Sequence, residues 1–162
     1  MKQRLYGFCI LAAVLAALTL SGLATAAPKQ VPFKGRSSGI VTTVGFDPVA
    51  GIAYAQVEGQ GQATHLGRFT QTGDAAVDVV TGNARGTWTL TAANGDSLFL
   101  KFEAKPTTDS THGLAAFTVV GGTGRFQGAS GFYEQTITFT VTPGTSDSTF
   151  TDVLQGTISF GH

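Results

Sequence analysis

The chain has 162 residues, of which 42% are hydrophobic and 12% charged, with ten Lys and Arg residues against ten Asp and Glu residues. This length fits one domain with a substantial core, and the chain is too apolar to be disordered. Its net charge is near zero and it has no basic run, so nothing would attract a phosphate backbone. Nucleic acid is therefore not expected as a partner.

The N-terminal segment has the pattern of an export signal. A short basic start, Met1 to Arg4, precedes an uncharged, mostly apolar run that ends at Leu20, and Ala24-Thr25-Ala26 offers a cleavage site. We expect a signal peptide over residues 1–26, cleaved after Ala26, and a secreted or periplasmic protein with no membrane span once the signal is removed. A retained apolar anchor is the alternative.

Signal cleavage would change the charge and the cysteine content. It would remove Lys2, Arg4 and Cys9, which leaves 10 − 2 = 8 basic residues against ten acidic ones and a net charge of 8 − 10 = −2. No cysteine would remain, so no disulfide would constrain the unfolded chain. The stability of the exported domain would have to come from core packing and strand pairing.

The rest of the chain has the period-two alternation of β-strands. From Thr136 to Thr142 every second residue is apolar, which puts Ile137, Phe139 and Val141 on one face. We predict an N-terminal tail over 27–37 and a single β-barrel domain over 38–162. With a hairpin around residue 94 and a last strand near the C-terminus, eight or nine strands are expected; the others lie near 38–45, 53–65, 67–73, 75–81, 113–120 and 129–142.

The hairpin turn at Asn94-Gly95 has a definable register. A two-residue loop would mix polar and apolar side chains on both faces, whereas a three-residue loop from Ala93 to Gly95 separates them. The second register pairs Leu90 with Leu98 and requires Gly95 to be left-handed. It places five apolar side chains inside the barrel: Trp88, Leu90, Leu98, Leu100 and Phe102.

A glycine-rich segment, Val119-Val120-Gly121-Gly122-Thr123-Gly124-Arg125-Phe126-Gln127-Gly128-Ala129-Ser130-Gly131, resembles one shared by dirigent proteins and allene oxide cyclase-like barrels. Gly61-Gln62-Ala63-Thr64-His65-Leu66-Gly67-Arg68-Phe69-Thr70 resembles a stretch of exported bacterial barrels of this type. The resemblance implies an all-β, eight-stranded antiparallel, calycin-like barrel with a central cavity. Dirigent proteins usually carry Arg at the place of Ser130, and the cyclase family's catalytic residues have no matching motif here, so no catalytic residue is transferred.

The glycines of this segment are predicted to form a structural turn rather than a phosphate site. Their spacing does not match a dinucleotide-binding loop, and a strand rather than a helix follows. Arg125 is expected to be a loop residue and Phe126 a plug at one end of the barrel. The turn motif comprises Gly121, Gly122, Gly124, Gly128 and Gly131.

Polar side chains that face the barrel interior are the candidate site residues. Asp152 is in phase with apolar neighbours on the last strand, as are Tyr133 and Gln135 on the strand before it. His65 is in phase with small residues over 53–63 that could leave room inside, and Trp88 is a further candidate ligand contact. An Asp in an apolar cavity would have a raised pKa and could act as a general acid or base.

Each of these residues also has a structural interpretation. Asp152 could be bonded to backbone beside a bulge, Tyr133 could be a core ring, and a bulge near Leu66 could expose His65. The small residues of 53–63 could simply accommodate the phenylalanines. The three histidines are scattered, so no metal site is predicted, and no cofactor motif is present.

Three functions remain open. The first is an exported barrel that binds a small, mostly apolar molecule without transforming it. The second is a cofactor-independent cyclase or isomerase that uses Asp152 or Tyr133 on a lipid-like or polyene substrate. The third is an extracellular structural module. One fold supports many functions, so the predicted barrel does not decide among them.

Overall fold

The computed structural model describes residues 29–107, 111–141, 143–145 and 147–161, so the predicted signal peptide lies outside the described residues. Eight antiparallel strands form a closed barrel in chain order, because the last strand pairs with the first. This confirms the predicted all-β, eight-stranded antiparallel barrel. The strands are β1 (Val31–Asp47), β2 (Ile52–Ala63), β3 (Gly67–Asp78), β4 (Ala84–Ala92), β5 (Ser97–Lys105), β6 (His112–Gly122), β7 (Ser130–Val141) and β8 (Ser148–Ser159).

The first strand begins earlier than predicted. β1 starts at Val31 rather than at residue 38, so the interpretation of residues 31–37 as tail is wrong. Val31 already pairs with Ile158 of β8, and Phe33 is fully buried in the core. Pro32 is tolerated because it stands at the start of the strand, where β2 does not yet reach.

The third strand is continuous, which corrects the prediction of two separate strands over 67–73 and 75–81. β3 runs unbroken from Gly67 to Asp78. A Cβ at position 73 would lie 2.6 Å from Cδ2 of Trp88, on the neighbouring strand. The glycine therefore makes room for the indole ring instead of turning the chain.

The hairpin between β4 and β5 has the predicted three-residue register. Leu90 pairs with Leu98 and Trp88 with Leu100, and Gly95 is left-handed with φ of 88°. All five side chains expected inside the barrel are buried. The turn chemistry and the hydrophobic pattern favour the same register, which explains why the prediction succeeded.

The two ends of the barrel differ. At one end, Leu66, Phe126 and Ala129 are buried, and a short 3-10 helix, Gly124–Phe126, lies between β6 and β7. We call the opposite end, where turns join β1 to β2 and β3 to β4, the mouth. Phe46, on the inner face there, is exposed, and the other apolar inner-face residues are partly buried: Ala53, Val77, Ala84, Ala104, Ile137 and Phe139.

Among the residues that the structure describes, no helix has the length and apolar character needed to cross a bilayer.

Candidate functional site

Asp152 is buried on the inner face of β8, as its phase predicted. It lies opposite Ser37 of β1, whose hydroxyl donates to the carboxylate at 2.7 Å from Oδ1 and 2.8 Å from Oδ2. The backbone N–H of Ser37 donates to Oδ1 at 3.0 Å. The carboxylate therefore lies in the interior and is also bonded to backbone, whereas its role in a ligand or catalytic site stays a prediction.

A chain of hydrogen bonds extends from this carboxylate across the barrel. The Gln71 amide donates through Nε2 to the Ser37 hydroxyl oxygen at 3.0 Å, and Trp88 Nε1 donates to Gln71 Oε1 at 3.1 Å. The four side chains form a continuous line from the indole to Asp152, which we call the polar relay. Each bond fixes the orientation of the next group, so the relay sets the position of the carboxylate.

Glycines on β2 leave the space that the relay occupies. A Cβ at Gly59 would lie 2.8 Å from Gln71 Nε2, and a Cβ at Gly61 would lie 2.7 Å from Ser37 Cβ. The same Gly61 Cβ would be 2.6 Å from the ring of Phe69. The room expected over residues 53–63 is thus filled at these two positions by neighbouring side chains.

Sequence reasoning missed two members of the relay. Ser37 fell in the predicted tail, although it is in phase with Phe33 once the strand is extended. Gln71 is in phase with Phe69 on β3, and this alternation could have identified it. A buried glutamine at such a position requires partners, and it finds them in Ser37 and Trp88.

Tyr133 and Gln135 face the interior from β7, next to β8. They are 0% and 1% exposed, and neither the Tyr133 hydroxyl nor Gln135 Nε2 has a hydrogen-bond partner among the described residues. The Tyr133 ring stacks on Phe117, with centroids 5.0 Å apart and planes 2° from parallel. Tyr133 is therefore a buried core ring, and its hydroxyl makes no hydrogen bond to any described residue.

Burial perturbs the pKa of both ionisable groups. Burial raises the pKa of the Tyr133 hydroxyl well above its usual value of 10.0, and the Asp152 carboxylate raises it further. Burial also raises the pKa of Asp152 from 3.8, against the hydrogen bonds from Ser37 that favour the charged form. Such pairs of perturbed groups are typical of binding and catalytic sites, although structural networks also produce them.

Trp88 belongs to the interior, as predicted. Besides its bond to Gln71, its ring packs edge-on against Phe102 at 5.4 Å and Phe117 at 5.6 Å. Phe102 and Phe117 stack in turn, so the indole is part of a continuous aromatic cluster that reaches Tyr133 and, through it, Phe33. The polar relay and the aromatic cluster therefore share the Trp88 side chain.

His65 does not face the interior, which corrects its assignment to the inner face on the basis of its phase with residues 53–63. β2 ends at Ala63, and His65 occupies the following turn, exposed and with φ of 63°. Its ring packs edge-on against Phe160, 5.7 Å away. The alternation of faces ends where the strand ends, so the phase of His65 carried no information about its direction.

The glycine-rich segment connects β6 to β7 at the end opposite the mouth. Four of its five glycines, Gly121, Gly124, Gly128 and Gly131, have positive φ; a Cβ on the fifth, Gly122, would overlap the carbonyl of Ser97. Phe126 is fully buried, and Arg125 Nη2 donates to the Leu66 carbonyl at 3.1 Å. The Arg125 hydrogen bond connects this segment to the turn between β2 and β3, so the segment has a structural role at this end of the barrel.

Two grooves lie on the outer wall. One, of about 740 Å³, is lined by residues that include Tyr54, Lys101 and Phe132. The other, of about 780 Å³, is lined by outward-facing Arg36 and Arg68 and reaches inward to Ser37 and Asp152. Neither of these two grooves includes Tyr133 or Gln135, so neither brings those residues together with Asp152. In the described part of the chain, no group of three or more His, Cys, Asp or Glu residues is placed to bind a metal ion.

The fold is similar to solved structures of pterocarpan synthase dirigent proteins. One superposes with a TM-score of 0.57 at 11% sequence identity, covering 83% of this chain and 87% of that chain. A second gives a TM-score of 0.48 at 13% identity, covering 83% and 97%. No family model and no curated protein matches the chain.

At this level of identity the likeness shows the fold alone. The chain has a dirigent-like β-barrel fold, which confirms the structural part of the resemblance carried by the glycine-rich segment.

Proposed function

We propose that the protein binds a small, mostly apolar molecule inside the barrel, with a polar end of that molecule at Asp152, Tyr133 and Gln135. The observation that carries this proposal is the pair of buried polar groups, Tyr133 OH and Gln135 Nε2, that have no hydrogen-bond partner in the part of the chain that the structure describes. Native proteins rarely bury such groups, and each exception calls for an explanation. A ligand oxygen that accepts hydrogen bonds from both groups supplies one.

The energetics favour such a ligand. An unsatisfied buried polar group costs about 1–3 kcal/mol, which a ligand atom in hydrogen-bond contact would recover on binding. The hydroxyl and the amide can both donate, whereas Asp152 can accept when it is charged. We therefore infer a neutral polar end with at least one acceptor oxygen, such as a carbonyl or hydroxyl group.

The mouth supports entry of an apolar body. Its inner-face residues are apolar, and Ile137, next to Asp152 across the β7–β8 pair, is only partly buried. Phe139 is likewise partly buried. Because these side chains are only partly buried, rotating them away disrupts fewer contacts than moving a fully buried core ring, and we infer that such a rotation opens a route toward the interior.

Binding can be measured with a panel of uncharged aromatic and aliphatic compounds, each carrying one carbonyl or hydroxyl group. Trp88 is the only tryptophan and lies in the interior, so its fluorescence reports occupancy. We expect Gln135→Leu to weaken binding about tenfold by removing a donor, while the outward-facing control Thr136→Val leaves it unchanged. Equal affinities for the two variants, or no binding by any compound, would count against the proposal.

Asp152 favours a second candidate function, that of a cofactor-independent cyclase or isomerase. A buried carboxyl with a raised pKa beside Tyr133 can exchange a proton with a bound substrate. Incubation with conjugated lipids or polyenes would then give products of unchanged mass. Asp152→Asn would abolish product formation while binding persists, whereas binding without turnover in the wild type would exclude this candidate. If the interior binds none of these compounds, the structural module remains.

We also propose that the protein acts outside the cytoplasm after cleavage following Ala26. The basic start, the apolar run and the Ala24-Thr25-Ala26 site support this proposal. Mass spectrometry of protein recovered outside the cytoplasm should give an N-terminus at Ala27. An intact Met1 on that protein would show that the segment is retained.

A further inference from the structure

Two turns at the mouth share the five-residue pattern Asp-x-Val-x-Gly. Their sequences are Asp-Pro-Val-Ala-Gly and Asp-Val-Val-Thr-Gly. They occupy residues 47–51 and 78–82, and we call them the apical turns. Both end in a left-handed glycine, with φ of 67° at Gly51 and 72° at Gly82. They lie side by side, because the N–H of Val79 donates to the Gly51 carbonyl at 3.0 Å.

The backbone N–H groups at the outermost positions of the apical turns, those of residues 49–50 and 80–81, are bonded within the protein. Asp47 Oδ1 accepts from the N–H groups of Val49 and Ala50 at 2.9 and 3.1 Å. Asp78 Oδ1 accepts in the same way from Val80 and Thr81, at 2.9 and 3.0 Å. The Gly82 N–H donates to the Asp78 carbonyl at 2.7 Å, and Pro48 has no N–H.

This arrangement suits a surface that loses its contact with water. Transfer of an unpaired N–H group into an apolar medium costs several kcal/mol, and at these internally bonded positions that cost is avoided. In ordinary surface turns the outermost residues are glycine, asparagine, aspartate or serine. The apical turns instead place valine at their outermost position.

The side chains at this tip are apolar and strongly exposed. Val49 is 96% and Val80 86% exposed, and Phe46 and Val79 beside them are about half exposed. A single exposed valine requires no explanation, but four apolar side chains on two bonded turns form a patch. Neither 46–51 nor 78–82 contains Lys or Arg, and the only charges are the carboxylates of Asp47 and Asp78.

We propose that the apical turns insert into the surface of an uncharged or zwitterionic lipid layer, so that the mouth of the barrel faces the lipid. The absence of basic residues and the two carboxylates disfavour an anionic surface. The tip is convex, and a fluid lipid surface accommodates a convex apolar tip without the preformed pocket that a protein partner would need. The proposed apolar ligand would then pass between the lipid and the interior, but lipid contact itself does not depend on ligand binding.

The test is vesicle flotation without added ligand. It uses the exported protein, with its N-terminus determined by mass, because a retained apolar leader would bind lipid by itself. We expect binding to phosphatidylcholine vesicles, and about tenfold weaker binding by the double variant Val49→Ser, Val80→Ser, which loses four methyl groups at the tip. Val153→Ser, which changes an exposed valine on the barrel wall, is the matched control and should bind like the wild type.

Several outcomes would overturn the proposal. They are the absence of binding to phosphatidylcholine, equal losses in the double variant and in the control, and tighter binding when phosphatidylglycerol is added. Light scattering of the same samples tests whether a second copy of the chain covers the tip instead. If the wild type is a dimer and the double variant a monomer, while both bind vesicles equally, the tip is a protein interface. A negative result in vesicle flotation would not contradict the proposed ligand binding, because the Trp88 fluorescence titration is done without lipid.

Discussion

The substitution Tyr133→Phe is expected to stabilise the protein, although it alters a fully buried residue. The hydroxyl is buried and has no hydrogen-bond partner among the described residues. The ring would keep its stack on Phe117 at 5.0 Å and its tilted contact with Phe33 at 5.1 Å. The change therefore removes an unsatisfied polar group and leaves the aromatic packing in place.

The magnitude follows from two opposing contributions. Removing a buried, unpaired hydroxyl relieves a desolvation cost of about 1–3 kcal/mol. Losing the dispersion contacts of one oxygen atom costs a few times about 0.1–0.2 kcal/mol. The free energy of unfolding should therefore rise by about 1 kcal/mol, which corresponds to a Tm increase of roughly 3–5 °C for a domain of this size.

Urea unfolding followed by Trp88 fluorescence provides the assay. The midpoint should move to higher urea with an unchanged slope, because the surface exposed on unfolding is nearly the same. Tyr54→Phe is the control: the Tyr54 side chain is 46% exposed, and its change should stay within about 0.5 kcal/mol. A loss of stability of about 1 kcal/mol or more for Tyr133→Phe would refute the reasoning, because it would mean that the hydroxyl has a partner in the folded protein.

Three further predictions concern packing and pH. Gly73→Ala should cost about 2 kcal/mol in urea unfolding because its Cβ would overlap the Trp88 ring, whereas Gly45→Ala, whose nearest contact is 3.8 Å away, should cost much less; equal costs would contradict the packing argument. Burial raises the pKa of Asp152, so the folded protein keeps this proton to higher pH than the unfolded chain does. The stability of wild type relative to Asp152→Asn should therefore fall as pH rises from about 3.8 through the raised pKa, and a flat difference would exclude the shift. The hydrogen bonds of its turn lower the pKa of Asp78, so the stability of wild type relative to Asp78→Asn should shrink as pH falls below 3.8; an unchanged difference in acid would disprove that role.

The sequence by itself determined the strand periodicity, the β4–β5 register and the inward phase of the polar residues. A period of two assigns each residue of a strand to one face, which is why Asp152, Tyr133 and Gln135 could be placed inside without a structure. Asn94-Gly95 specifies a tight turn, and only one loop length separates the apolar from the polar side chains. These properties are local, because they depend only on residues that are close together in the sequence.

Where a strand ends, the same reasoning fails. His65 lies two residues beyond the last residue of β2, and Gly73 looked like a turn because glycine allows both a turn and a close approach of a large ring. Which of the two uses applies depends on whether a ring from another strand occupies the space. That information is absent from the local sequence.

Only the tertiary structure decided how the interior polar groups are connected. Ser37 and Asp152 are 115 positions apart and meet because β8 closes the barrel against β1. Closure fixes one register for the whole sheet. That register gives Asp152 a partner, while Tyr133 OH and Gln135 Nε2 find none within the described ranges. Phase predicts the face on which a side chain lies, but hydrogen-bond partners depend on distances across strands, which only the closed barrel defines.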